Sequence, residues 1–410
     1  MLPTASATQL PPALVLSAHT MGLGVIRALG AKGVPVISLT YDPGDFGQKS
    51  KYVNETVPMP HPTREPRAFE QCLLGVCSVY RGAVLIPASD AALTAVSQLK
   101  PDLSKYVKVA CPDLRMVDLV IQKDRTVELA ESCGVLCPLT KRPDTLDEAL
   151  QAARSIGYPC LVKPVQSHLF VQALGTKMFS VANEKELRVA WEKVERHRLA
   201  VTIQEFISGP PTNGANYIAF FVEGRPIAEF TVQKLGDSPP NYGSPCALRS
   251  AEMPEVELLG RKLLKGAAFE GFACVEFKKG PDGAYRLMEI NARHNLSTAL
   301  AVKCGLSFPW MDYTFRTTGV PEGAGPWRKG VYWVDILRDA RHHWASLGSG
   351  RAELLASYFR DGVFAVYDRT DPEPFRTRLK SIAGMLPGRK GSDPVAWQAS
   401  EATGDAPGAR

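Results

Sequence analysis

Residues 272–295 read FACVEFKKGPDGAYRLMEINARHN, and the remainder of the chain is organised around them. Two apolar runs, residues 272–277 and 285–290, flank a Gly-Pro-Asp-Gly segment at 280–283. Proline presets one backbone angle, aspartate bonds to nearby backbone groups, and glycine tolerates a positive φ. The stretch is therefore predicted to form a β-hairpin.

Four polar side chains lie where this hairpin should present a functional face. Glu289, Asn291 and Arg293 are spaced two apart, so an extended strand points them to one side. Pairing of the strands can bring Glu276 opposite them. Solvated charges on a surface hairpin are the alternative, but both strands are otherwise apolar, and buried carboxylates need a partner. Two carboxylates and an amide oxygen suit Mg²⁺, so we predict a metal site.

The segments VEFK at 275–278 and LMEINAR at 287–293 resemble the metal-binding strands of the ATP-grasp superfamily, which includes biotin carboxylases and D-alanine–D-alanine ligases. The pattern is most similar to bacterial predicted carboxylate–amine ligases, a group related to D-aspartate ligases. The resemblance implies that Glu276, Glu289 and Asn291 bind Mg²⁺, with Mn²⁺ as an alternative. It also implies that Arg293 faces a reacting acyl phosphate. A structural salt bridge from Arg293 to one of the two glutamates is the other interpretation.

Bulk properties exclude several classes of protein. With 410 residues, 45% hydrophobic and 22% charged, the chain is expected to form two or three globular domains. Its net charge of +6 is not concentrated in a basic run with interleaved aromatic residues, which argues against a nucleic-acid-binding protein. The nine cysteines lack metal or disulfide spacing and predict a reduced, cytoplasmic protein. No membrane span or signal peptide is expected, and a homodimer is left open.

The amino-terminal part reads as a βαβ opening with a glycine-rich turn at 21–24. A dinucleotide fingerprint requires a third glycine where Arg27 stands, so a tight turn with close helix packing is favoured over an NAD site. Further strands at 83–87 and 107–111 predict a small parallel sheet. Asp90 follows the first of these at a carboxyl end, where ligands bind in open sheets, but helix capping is its favoured role.

Two lysines are candidates for phosphate binding. Lys163 ends an apolar strand in Val-Lys-Pro, where a cation needs an anion unless it extends to water. Lys123 is, by itself, an ordinary surface lysine at the start of a helix. The resemblance to ATP-grasp proteins implies that both bind ATP. It also implies that 166–176 covers the phosphates, although this loop is bulky where relatives are rich in glycine and serine.

Further positions are assigned by the same resemblance. Residues 201–209 resemble the strand that bounds the adenine pocket, which needs backbone groups, an apolar wall and a carboxylate for the ribose. Lys234 stands where some relatives have a third phosphate-facing basic residue. Arg249 could hold a substrate carboxylate bidentately, or could be a surface arginine. The residues assigned to the adenine pocket are Gln204, Glu205, Phe206 and Ile207.

The resemblance covers about residues 13–375 and implies an α/β and α+β fold. A Rossmann-like parallel-sheet domain is followed by a two-part ATP-grasp fold and a C-terminal helical extension, in which 332–364 carries apolar residues at helical spacing. The expected divisions are a flexible leader at 1–12, the α/β domain at 13–120, the ATP-grasp domain at 121–320, the extension at 321–384 and a disordered tail at 385–410.

The function implied is an ATP-grasp ligase that joins a small-molecule carboxylate to an amine through an acyl phosphate, releasing ADP and phosphate. A biotin-carboxylase-like carboxylating enzyme is an alternative, although its additional substrate contacts are not identifiable in the sequence. A non-catalytic nucleotide-binding protein is a third interpretation. The complete set of Glu276, Glu289, Asn291 and Arg293 argues against it.

Overall fold

The structure is a computed structural model. It describes residues 10–42, 44–165, 170, 173–176, 178–238, 243–345 and 358–384. The predicted disordered tail, most of the predicted leader and most of the predicted phosphate-covering loop lie outside these residues. The described residues are organised around three β-sheets.

The first sheet is parallel and has five strands in the order β3-β2-β1-β4-β5. Its central strands are wholly buried because helices cover both faces, as parallel sheets require. The predicted parallel sheet is therefore confirmed. Its strands are β1 (Ala13–Leu16), β2 (Val36–Thr40), β3 (Val53–Pro58), β4 (Val84–Pro87) and β5 (Lys108–Val109), and its helices are α1 (Thr20–Gly30), α2 (Pro66–Val79) and α3 (Asp90–Leu103).

The glycine-rich turn after β1 is tight. Ser17 adopts a φ of 76°, and a Cβ at Gly22 would lie 1.9 Å from the Ser17 carbonyl oxygen. Only glycine fits such a close approach of backbone to backbone. Close packing in a tight turn therefore explains the glycine, which is the interpretation that the sequence favoured over a dinucleotide site.

The second sheet is small, antiparallel and ordered β6-β9-β7-β8. Two helices, α4 (Leu114–Ile121) and α5 (Lys123–Ser132), lead to it from the first sheet. A separate apolar core lies between the sheet and its own two helices. The elements are β6 (Thr140–Lys141), α6 (Leu146–Ile156), β7 (Cys160–Pro164), β8 (Phe179–Val181), α7 (Glu184–Arg196) and β9 (Val201–Glu205).

The third sheet has seven strands in the order β14-β13-β10-β11-β12-β15-β16, antiparallel except for the last pair. One face packs on α8 (Pro254–Gly266), and the other on α9 (Thr298–Cys304) and α10 (Phe308–Thr318). Its strands are β10 (Gly214–Val222), β11 (Arg225–Ser238), β12 (Ser244–Ser250), β13 (Gly271–Lys279), β14 (Tyr285–Asn291), β15 (Tyr332–Val334) and β16 (Gly362–Phe364).

The expectation of helix throughout 332–364 is wrong at both ends of that range. β15 and β16 extend the third sheet, and only α11 (Ile336–Ala345) is helical among the described residues between them. The Tyr-Trp-Val sequence of β15 is fully buried, and aromatic and β-branched side chains suit a pleated surface. Short apolar runs of this kind do not distinguish strand from helix by periodicity. No helix in the described residues has both the length and the apolar character that crossing a membrane requires.

The C-terminal segment returns to the first sheet after β16. Asp371, 1% exposed, accepts hydrogen bonds from Arg27 Nε at 2.9 Å, Ser50 Oγ at 2.7 Å and the backbone N–H of Lys51 at 2.8 Å. The last described helix, α12 (Glu373–Gly384), follows directly. The segment therefore fastens the third sheet to the first.

Replacing Asp371 with alanine is expected to destabilise the protein by about 2–4 kcal/mol, because buried donors and a buried guanidinium lose their acceptor. The measurement is the thermal unfolding midpoint, which should fall. Asp361→Ala is the matched control, since Asp361 pairs with Arg328 at 2.7 Å on the surface and screened pairs contribute little. Equal midpoints for the two variants would contradict the fastening role.

Candidate active site

The predicted hairpin of β13 and β14 is confirmed, and it forms an edge of the third sheet. Glu276 lies directly opposite Glu289. The register then shifts, because Phe277 pairs with Leu287 and leaves Met288 as a bulge. The bulge lets Leu287 enter the core while Glu289, two residues later, shares a face with Glu276.

Asn291 links the two carboxylates. Its Nδ2 donates to Glu289 at 2.9 Å and, at 3.4 Å, to Glu276. The Glu276 charge, with burial as the second cause, raises the pKa of Glu289, although the bond from Asn291 acts in the opposite direction. Lys234 Nζ donates to the far oxygen of Glu276 at 3.0 Å. Burial acts to lower the pKa of Lys234, but the charges of its acidic neighbours, Glu276 first among them, together raise it.

These side chains fit a hard cation. Like charges face each other on Glu276 and Glu289, and a divalent cation between them would remove the repulsion. The Asn291 amide, whose Nδ2 faces the two carboxylates, would turn its oxygen toward such a cation. No group of three or more His, Cys, Asp or Glu residues suited to a metal occurs in the described part of the chain. A set of two carboxylates and one amide leaves positions for water and phosphate, as Mg²⁺ prefers.

Lys123 and Lys163 supply the opposite charge. Lys123 Nζ donates to the Pro164 carbonyl at 3.3 Å, and Lys163 Nζ to Gln204 Oε1 at 2.9 Å. Within the described ranges neither lysine forms an ion pair. Burial, followed by repulsion from Lys123, lowers the pKa of Lys163 to about 8, while Glu289 acts to raise it. Burial also lowers the pKa of Lys123, again against Glu289. Lys123 and Lys163, at and beside the second sheet, thus lie within electrostatic reach of the Glu289 carboxylate on the third sheet.

The four residues predicted to border adenine lie at and just beyond the end of β9. Gln204 is bonded to Lys163 and also donates to Thr140 Oγ1 at 2.9 Å, so its side chain orients the lysine. The Glu205 carboxylate accepts from the Leu139 backbone N–H at 3.1 Å. Phe206 lies 5.4 Å from the Lys278 ammonium, and Ile207 is buried. Their role toward adenine stays a prediction.

Arg293 is held by Asp90, the first residue of α3. Its Nε and Nη2 donate to the two carboxylate oxygens at 2.6 Å and 2.7 Å. The partner is therefore neither glutamate of the hairpin. The favoured capping role for Asp90 is also wrong, because Ser89 caps α3 by accepting from the Ala92 backbone N–H at 3.1 Å. Burial acts to lower the pKa of Arg293, but the Asp90 charge raises it.

Arg249 is not brought together with the other predicted site residues. It lies opposite Gln233 in the sheet and donates to Gln233 Oε1 at 2.7 Å. Lys234, the next residue along, contacts Glu276. Neighbouring residues of a strand point to opposite faces, so Arg249 projects from the face away from the carboxylates. Its predicted role with a substrate carboxylate has no support from this position.

Asn216 belongs to the site but was missed in the sequence. It lies opposite Glu276 on β10, is 3% exposed, and its Oδ1 has no hydrogen-bond partner among the described residues. A buried, unsatisfied amide oxygen beside a carboxylate adds another oxygen to the face that carries the predicted metal ligands. The available signal was a single amide at the start of an otherwise apolar run, 217–222.

Comparison with known proteins places this geometry in context. No family model matches the chain. A D-alanine–D-alanine ligase of Pseudomonas putida is 25% identical in an alignment 209 residues long, which covers 46% of this chain and 61% of that protein. The chain thus spans less than two thirds of the length of that curated relative.

Solved structures share the fold. An L-amino acid ligase from Bacillus licheniformis superposes with a TM-score of 0.60 at 16% identity, over 76% of this chain and 75% of the other. The second structure is the biotin carboxylase domain of Hydrogenobacter thermophilus 2-oxoglutarate carboxylase, in complex with MgADP, ADP and bicarbonate. It superposes with a TM-score of 0.60 at 16% identity, over 78% of this chain and 73% of the other. The predicted ATP-grasp fold is confirmed. The narrower similarity to the D-aspartate ligase group stays a prediction.

The depressed pKa of Lys163 predicts how nucleotide binding depends on pH. Only the ammonium form binds phosphate, and the neutral form grows as pH rises through about 8. Affinity for ADP, measured by calorimetry without metal, is expected to fall about tenfold between pH 7 and pH 9. Lys163→Arg keeps its charge over this range and should flatten the profile. The same pH dependence in both proteins would contradict the assignment.

Proposed function

We propose that this chain, which has the ATP-grasp fold, is an ATP-dependent carboxylate–amine ligase. It forms an amide or peptide-like bond through an acyl phosphate and releases ADP and phosphate. One observation carries the proposal. Two lysines with lowered pKa values, Lys123 and Lys163, lie within electrostatic reach of Glu289, and the charge of the facing Glu276 raises the pKa of Glu289.

That arrangement suits a phosphate chain bound together with a divalent cation. The two lysines have no anionic partner among the described residues, and Glu289 has no cationic one, although Glu276 is paired with Lys234. A metal–nucleotide complex would bring both kinds of charge. Glu276, Glu289 and Asn291 would hold Mg²⁺, which when bound would neutralise phosphate charge and polarise the transferring group. Asn216 provides a further oxygen at the same face.

The reaction has two steps. A carboxylate oxygen of the first substrate attacks the terminal phosphorus, and the bond between that phosphorus and the ADP oxygen breaks. The amine nitrogen of the second substrate then attacks the acyl carbon, phosphate leaves with the bonding electron pair, and the amine gives up a proton. Lys123 and Lys163 position the phosphates, and Arg293 stabilises charge that builds on the transferring group.

The comparisons support ligation over the alternatives. The curated relative and one of the structural neighbours are named as ligases of amino acids. Another neighbour binds MgADP together with bicarbonate, which supports the choice of ATP and Mg²⁺ and keeps a carboxylating activity as the second candidate. In this proposal residues 121–320 form the ATP-grasp unit, 13–120 the α/β unit that helps to hold substrate, and 321–384 an extension.

An ADP-release assay tests the activity. Amino acids and dipeptides are supplied as carboxylate and amine with Mg²⁺-ATP, and products are identified by mass spectrometry. ADP release that requires both substrates, with formation of an amide, is the expected result. Release with bicarbonate and no amine would support the carboxylating candidate instead.

Glu289→Ala is expected to lower turnover by roughly two to three orders of magnitude, because the variant loses a predicted metal ligand. Its thermal midpoint should not fall, since the change also removes repulsion from Glu276. Glu252→Ala is the control, because Glu252 pairs with Lys329 at 3.0 Å on the surface. ADP formation at the wild-type rate by the Glu289 variant would place the metal site elsewhere.

A further inference from the structure

Asp90 pairs with only two of the three nitrogens of the Arg293 guanidinium. Asp90 takes the edge of the guanidinium formed by Nε and Nη2. The remaining nitrogen, Nη1, has weaker partners: the thioether sulfur of Met21 at 3.1 Å and the His294 carbonyl at 3.4 Å. A thioether is a poor acceptor, so Nη1 is the corner of the group best able to donate to a new anion.

Asp90 is itself fixed by the first sheet. It begins α3 after the two residues that follow β4, and carboxylates are favoured in the first turn of a helix. The preceding residue, Ser89, caps the helix and also shares a 2.6 Å hydrogen bond with Tyr41. The side chain of Asp90 is 62% exposed and that of Arg293 is 11% exposed. Asp90 can therefore be replaced with little disturbance to packing.

Arg293 has a second acidic neighbour. Glu289 precedes it by four residues on the hairpin strand, and its charge acts on the guanidinium together with that of Asp90. Without Asp90, a buried guanidinium would pair with the acid that remains, since an unpaired buried charge is costly. Pairing with Glu289 would occupy an oxygen that the proposed metal site needs.

We propose that Asp90 is a positioning residue, which holds Arg293 away from Glu289 and thereby keeps the metal site open. A residue of the first sheet region would in this way keep Glu289, on the third sheet, available to the metal. This inference rests on the metal site of the proposed function. A purely structural ion pair between the two sheets would stabilise the fold and leave metal affinity unchanged.

Metal affinity provides the test, with Mn²⁺ and ADP as probes. Dissociation constants of Mn²⁺ are measured by electron paramagnetic resonance at saturating ADP for the wild type, Asp90→Asn, Arg293→Met and the double variant. Thermal midpoints are recorded on the same preparations. Asp113→Asn is the control, since Asp113 is paired with Lys100 at 2.6 Å on the surface.

Asp90→Asn is expected to weaken Mn²⁺ binding about tenfold, while the control matches the wild type. Adding Arg293→Met should restore most of that affinity and should have a larger effect in the Asp90→Asn background than in the wild type. This non-additivity is the signature of positioning, because two charges that act independently through space would give equal factors. Equal factors, or an unchanged affinity in Asp90→Asn, would overturn the inference. A wild type that does not bind Mn²⁺ would overturn the proposed metal site and this inference with it.

Discussion

The site depends on like charges that the fold brings close together. Glu276 is paired with Lys234, whereas Glu289, Lys123 and Lys163 form no ion pair among the described residues. Lys123 and Lys163 repel each other, and burial makes their charged forms costlier still. Glu276 and Glu289 repel each other on the facing sheet. A folded protein tolerates such pairs only where the surrounding structure imposes them, which is typical of sites that bind a charged ligand. Binding of a metal–nucleotide complex would satisfy both halves at once.

Each sheet contributes a separate part of this arrangement. The second sheet carries Lys163 on a strand and orients it through Gln204 on the next. The third sheet carries the carboxylates on an edge hairpin. The first sheet reaches the same place through Asp90, and the C-terminal segment fastens it to the third sheet through Asp371. The proposed chemistry thus requires all three sheets to keep their positions relative to one another.

Local patterns in the sequence predicted the hairpin, because its turn chemistry and strand alternation are encoded within about twenty residues. They could not predict the bulge at Met288, which changes which residues share a face. Local patterns also could not predict contacts between segments that are distant in the sequence. The pairing of Arg293 with Asp90 spans separate sheets, and the face on which Arg249 lies depends on strand register. The buried amide of Asn216 gains meaning only when its neighbour Glu276 is known.

Crystals grown with Mn²⁺ and ADP would show whether the opposed charges bind a metal–nucleotide complex, because the anomalous scattering of manganese locates the ion independently of the protein. We expect an anomalous peak coordinated by the carboxylates of Glu276 and Glu289 and by the Asn291 amide oxygen. The ADP phosphates should contact the ammonium groups of Lys123 and Lys163. Manganese bound elsewhere, or phosphates that contact neither lysine, would show that these residues do not form the nucleotide and metal site.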